Sequence, residues 1–141
     1  MRTLESIFAG IALLFICTAA NSVTKPATGK LTRDEVIKIY IDAITSANVS
    51  KLNDLLDAEL QFNIQRGDFV TTLDKNQLID YLKNDISSDP SVKISTSVMR
   101  EDDHSSTIKV EFKYAGYSRI DEVTLTKTFG WLITTIDCRF M

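Results

Sequence analysis

The chain has 141 residues and a net charge of −3, with 16 Lys and Arg against 19 Asp and Glu. The basic residues are interleaved with acids and form no block, which excludes the electrostatic footprint of a nucleic-acid binder or of a domain held on an anionic membrane. Of the 2 cysteines, Cys17 lies in the N-terminal apolar segment and Cys138 near the C-terminus; once the first is removed with that segment no internal disulfide can form, and stability must come from packing.

Arg2 precedes an apolar run from Ile7 to Ala20, followed by the small and polar residues Asn21 and Ser22. This is the order of an export signal, with cleavage expected after Ala20 or Ser22. The run is shorter than the about 20 residues a membrane-spanning helix requires. Ile16, directly before Cys17, is too bulky for a lipid-attachment site. Residues 1–22 are therefore expected to be a signal peptide, and 23–30, with Pro26 and Gly29, a flexible tether. Residues 31–141 then form one domain outside the cytoplasm, periplasmic or secreted, with no stable membrane anchor after cleavage.

Thr32-Arg33-Asp34-Glu35 matches a capping box and predicts a helix that carries Val36, Ile37, Tyr40, Ile41, Ala43 and Ile44, closed near Asn48. Ser50 is expected to cap a second short helix with Leu52, Leu55 and Leu56. The period then changes from helical to alternating. Leu60, Phe62 and Ile64 mark a half-buried strand, Arg66-Gly67-Asp68 a turn, and Phe69 to Leu73 a second strand. Asp74 and Gln77 repeat the capping logic and open a helix with Leu78, Ile79, Tyr81 and Leu82.

The remainder reads as four strands. Val92, Ile94, Thr96 and Val98 alternate in the first, and Ile108, Val110, Phe112 and Tyr114 in the second. Ile120 to Phe129 and Trp131 to Phe140 complete the set, the last with Leu132, Thr134, Ile136, Cys138 and Phe140 on its inner side. Helices lead and an antiparallel meander follows, which predicts an α+β domain: a strongly curved, mostly antiparallel sheet covered by about three helices, with a cone-shaped cavity between them.

Tyr40-Ile41-Asp42-Ala43, the step Asn48-Val49-Ser50-Lys51-Leu52, Leu55-Leu56-Asp57 and the closing Gly130-Trp131-Leu132-Ile133 strand together resemble the nuclear-transport-factor-2-like superfamily. That fold is shared by ketosteroid isomerases, scytalone dehydratase and polyketide cyclases. Within it the chain is most similar to small exported bacterial proteins catalogued as lumazine-binding. Isomerases of this fold use a carboxylate base on the first strand and an oxyanion hole made by a helix-1 Tyr and a protonated Asp. Tyr40 stands where that Tyr would, but the base position falls in Asn63-Ile64-Gln65, which has no carboxylate. Without a proton acceptor, the tyrosine cannot drive enolisation.

No catalytic residue, metal site or cofactor is therefore assigned. The single histidine, His104, lies in a polar hairpin tip, Glu101 to Ser106, where neighbouring side chains splay apart instead of converging. Cys138 reads as a small buried hydrophobe, and Asp121 and Glu122 face opposite sides of one strand. The expected function is non-catalytic binding of a small apolar or aromatic ligand in a cone lined by Tyr40, Ile44, Phe62, Ile64, Phe112, Tyr114 and Trp131. The alternatives are an isomerase, cyclase or dehydratase of the same fold, drawing on Asp121 or Asp137, and a protein-interaction module. The outward Ser95, Ser97, Met99, Thr124, Thr126 and Thr128 form a weakly charged sheet face suited to a homodimer.

Overall fold

The structure, a computed structural model, describes residues 31–85 and 89–141. The expected signal peptide, tether and Cys17 lie outside the described residues. Helix α1 runs from Arg33 to Ser46. The Thr32 hydroxyl accepts the Glu35 N–H at 3.2 Å while the Glu35 carboxylate accepts the Thr32 N–H at 2.7 Å. This reciprocal cap meets two of the helix's orphan donors, as the sequence predicts. The helix closes one residue earlier than expected, on Ala47 in the left-handed region (φ 57°). Helix α2, Lys75–Asp85, opens on the same device, the Asp74 carboxylate and the Gln77 amide each accepting the other's N–H at 2.9 Å.

Between them the chain departs from expectation. The predicted second helix is a single 3-10 turn, Asn53–Leu55, and Leu56 already belongs to strand β1, Leu56–Arg66. Ser50 donates to the Asn48 side chain at 2.9 Å and caps no helix. The physical reason is the early strand: Leu56 pairs with Ile133 of the last strand, and that ladder outcompetes a second helical turn. Two α-helices, not three, cover the sheet among the described residues.

The strands are β1, β2 (Phe69–Leu73), β3 (Lys93–Glu101), β4 (Ser105–Lys113), β5 (Ser118–Lys127) and β6 (Trp131–Phe140), in the spatial order β2-β1-β6-β5-β4-β3. All neighbours are antiparallel except β1 and β6, which run parallel. The result is an α+β fold with a curved, mostly antiparallel sheet. Gly67, at φ 60°, makes the β1–β2 turn, a conformation that costs glycine little and a branched residue much.

The core fills the space between helices and sheet. Val36, Tyr40, Ala43 and Ile44 of α1 and Leu78 and Leu82 of α2 have no exposed surface, and they meet the inward row Ile108, Val110 and Phe112 of β4 with Val123 and Leu125 of β5. In β6 the expected alternation is corrected by a bulge. Thr124 pairs with Thr135 and Leu125 with Ile133, leaving Thr134 without a partner. One extra residue reverses the phase, so Ile133 is fully buried where Leu132 was expected. Strand β5 ends at Lys127, and Phe129, expected within it, is a fully exposed turn residue.

Candidate functional site

Arg119 and Asp121 sit two residues apart on β5 and therefore share a face. In the structure that face is the concave one, in phase with Val123 and Leu125, and both charged side chains are buried. The Arg119 Nε–H donates to both Asp121 oxygens, at 2.9 and 3.1 Å. From α1, the Tyr40 hydroxyl donates to Asp121 Oδ2 at 2.6 Å. The Phe62 and Phe112 rings each lie 5.8 Å from the guanidinium carbon, so aromatic faces as well as the carboxylate stabilise the cation. Arg119 Nη2 is buried and has no hydrogen-bond partner among the described residues.

These contacts set the protonation of the cluster. Burial, reinforced by the negative charge of Asp121, pushes the Tyr40 phenol well above its ordinary range. Burial opposes the charge on Arg119, but Asp121, together with Tyr40 and Cys138, more than offsets it and the guanidinium is held more firmly protonated than in water. The Cys138 thiol is driven up by burial first and by Asp121 second, which makes it a poor nucleophile.

The arrangement decides what the fold can do chemically. An oxyanion hole needs the tyrosine and a protonated acid both donating to substrate; here Asp121 accepts from Tyr40 and from Arg119. In the Asn63-Ile64-Gln65 stretch of β1, Ile64 faces inward and is buried. The Asn63 side chain donates to Asp137 at 2.8 Å and accepts from Thr72 at 2.8 Å, a network shared by three strands away from Cys138 and the core. Asp137 is exposed on that side and does not enter the cone.

The seven expected lining residues divide into three groups. Tyr40, Ile44, Phe62 and Phe112 have no exposed surface, and Ile64 has little; they are packed core. Tyr114 is half-buried at the open end of the concave face, where it stacks on Tyr117 with ring centroids 4.8 Å apart. Trp131 packs on the core at the other end of the sheet: it opens β6 while Phe140 closes it, about 30 Å away at roughly 3.3 Å per residue. The structure does not bring Trp131 and Tyr114 to one site.

At the open end the rings continue. Phe140 lies 6.1 Å from Tyr117, and the Arg66 guanidinium is 5.5 Å from the Phe140 centroid. Arg66, Gly67, Tyr117 and Phe140 line a cleft of about 400 Å³. Tyr81 of α2 packs on Phe62 at 5.9 Å and is half-buried. A larger groove, about 500 Å³, runs between α1 and β3 over Ile37, Ile41, Ile94 and Val98.

Other residues singled out by sequence fall outside these sites. His104 is exposed on the β3–β4 turn, where the Asp102 carboxylate accepts the backbone N–H of His104 and of Ser105, both at 2.8 Å, and thereby shapes the turn. Among the described residues no cluster of three or more His, Cys, Asp or Glu could hold a metal ion. Glu122 faces away from Asp121 and accepts from Arg139 at 3.2 Å. Arg119 was not legible as a site residue, although opposite charges at i and i+2 in phase with Val123 and Leu125 are a signal that could have found it.

No protein-family model matches the chain, and no curated protein matches it in sequence. Its fold is shared with solved structures. A nuclear-transport-factor-2-like protein of unknown function from Shewanella baltica OS155 superposes with a TM-score of 0.68 at 14% identity, covering 76% of this chain and 89% of that one. Another from Silicibacter pomeroyi DSS-3 gives 0.65 at 16% identity, covering 75% and 90%. A candidate ketosteroid isomerase from Parabacteroides distasonis ATCC 8503 gives 0.59 at 10% identity, covering 83% and 93%. At these identities the likeness establishes the nuclear-transport-factor-2-like fold and carries no activity.

Proposed function

We propose that this nuclear-transport-factor-2-like domain is a non-catalytic binder of a small ligand with an apolar or aromatic surface, acting outside the cytoplasm. The observation that carries the reading is the Tyr40–Asp121–Arg119 cluster. The carboxylate and phenol that an enolising enzyme of this fold would direct at its substrate are instead bonded to each other and to a buried arginine. Beyond the filled part of the cone lies the cleft lined by Arg66, Gly67, Tyr117 and Phe140, with Tyr114 stacked on Tyr117 beside it.

The test is a thermal-shift and calorimetric screen of the chain from residue 31 onward against small aromatic and aliphatic compounds. Binding should be weakened by Tyr114→Ala without loss of fold. Trp131 fluorescence would report poorly, because that ring lies at the far end of the sheet. A second reading, an isomerase-type enzyme, draws on the contact between Tyr40 and Asp121. Its signature would be deuterium exchange into an enolisable ketone, lost in Tyr40→Phe, which keeps the Arg119–Asp121 pair; exchange at the buffer-only rate rules it out.

A further inference from the structure

We propose that the open-end cleft selects a planar aromatic acid, its ring on Phe140 and Tyr117 and its carboxylate on Arg66; this rests on the binding reading above and names the ligand class. Phe140 stands directly opposite Arg119 across the β5–β6 ladder and so lies on the concave face. Arg66 ends β1 beside the end of β6, where Gln65 pairs with Arg139, and its guanidinium covers the Phe140 ring. Arg66 is exposed over the Phe140 ring, while Arg119, opposite Phe140 in the ladder, is buried with its guanidinium over Phe62 and Phe112.

Their charges are not equally committed. Arg119 is neutralised by Asp121, whereas no ion pair to Arg66 is present among the described side chains. The cleft therefore keeps an uncompensated positive charge beside stacked rings. A guanidinium matches a carboxylate with two parallel N–H donors, and ring faces supply sequence-tolerant stacking area. A neutral ring of equal size would gain the stacking and forgo the ion pair.

Isothermal titration of the chain from residue 31 onward with 2-naphthoate and with its neutral counterpart 2-naphthalenemethanol tests this. The acid should bind roughly five-fold tighter or better at low salt, as expected for a partly exposed ion pair. Arg66→Gln should abolish the preference, and Arg66→Lys should retain part of it. Tyr117→Leu should weaken both probes alike and leave the ratio unchanged. Equal affinities for acid and alcohol overturn the acid reading and leave ligand binding standing. A preference that survives Arg66→Gln overturns the assignment to this cleft. Failure of both probes overturns the acid reading, and if the wider screen fails as well, the binding reading falls with it.

Discussion

Replacing Asp121 by Asn leaves the shape of the core almost unchanged and removes one charge, so its effect isolates the electrostatics of the cluster. Arg119 is 3% exposed and Asp121 has no exposed surface, so solvent screens their interaction little. An asparagine oxygen in the place of Oδ2 can still accept from Tyr40 and from Arg119 Nε, but the NH2 group in the place of Oδ1 donates and cannot accept the other Arg119 contact, and the negative charge is gone. Arg119 is then a buried cation without a countercharge, stabilised only by a neutral amide and the Phe62 and Phe112 faces. Breaking a buried pair in this way costs about 3–5 kcal/mol. Against a total of about 5–15 kcal/mol for a domain, that is a large share. At about 4 °C per kcal/mol for a domain near 100 residues, the melting temperature should fall by roughly 10–20 °C. Urea unfolding followed by circular dichroism gives the free-energy cost, and a thermal melt gives the shift in midpoint. The triple variant Tyr40→Phe, Arg119→Met and Asp121→Leu, which leaves no polar group of the cluster unpaired, should recover most of the loss, because apolar replacement of a buried pair is close to neutral. A cost below about 1 kcal/mol for Asp121→Asn, the range of exposed pairs, would refute the premise that this pair is dry.

Alkaline stability follows from two of the raised protons. Tyr40 and Cys138 ionise in the unfolded chain near their ordinary values of 10.0 and 9.0 but keep their protons in the fold well above those values. The native state therefore binds more protons than the unfolded state above about pH 9, and stability should fall as pH rises from there. Tyr40→Phe should flatten the part of that fall above pH 10, measured as urea midpoints between pH 7 and 11. The buried thiol gives a kinetic counterpart: Cys138 should resist a maleimide in the native state and label at the rate of unfolding, and rapid labelling without urea would contradict its burial.

Local chemistry was readable wherever neighbours in sequence settle it. Both capping boxes, the Gly67 turn and the alternation of β4 depend on residues within a few positions of one another, and each stands as the sequence implies. So does the inward Cys138, whose immediate neighbours Asp137 and Arg139 face outward. The alternation of β6 was misread because a bulge is decided by the partner strand: nothing near Thr134 shows that Leu125 will pair with Ile133. The short helix expected at Leu52 to Leu56 yielded for the same reason, since the competing partner, Ile133, lies far along the chain.

By itself, then, the sequence determined an α+β class, two capped helices and an alternating sheet, because propensity, capping and period act over a few residues. It also determined that Asn63-Ile64-Gln65, the stretch the resemblance matches to a first-strand base, holds no carboxylate, which is a matter of residue identity alone. Tertiary structure decided everything that required distant segments to meet. It joined β1 to β6 in parallel and brought Tyr40 onto Asp121 across the core. It also separated Trp131 from Tyr114 by the length of the sheet, and gathered Arg66, Tyr117 and Phe140 around one cleft. Burial turned Arg119 and Asp121 from two strand residues into a neutral pair within the core, because in a dry interior a charge persists only beside its opposite.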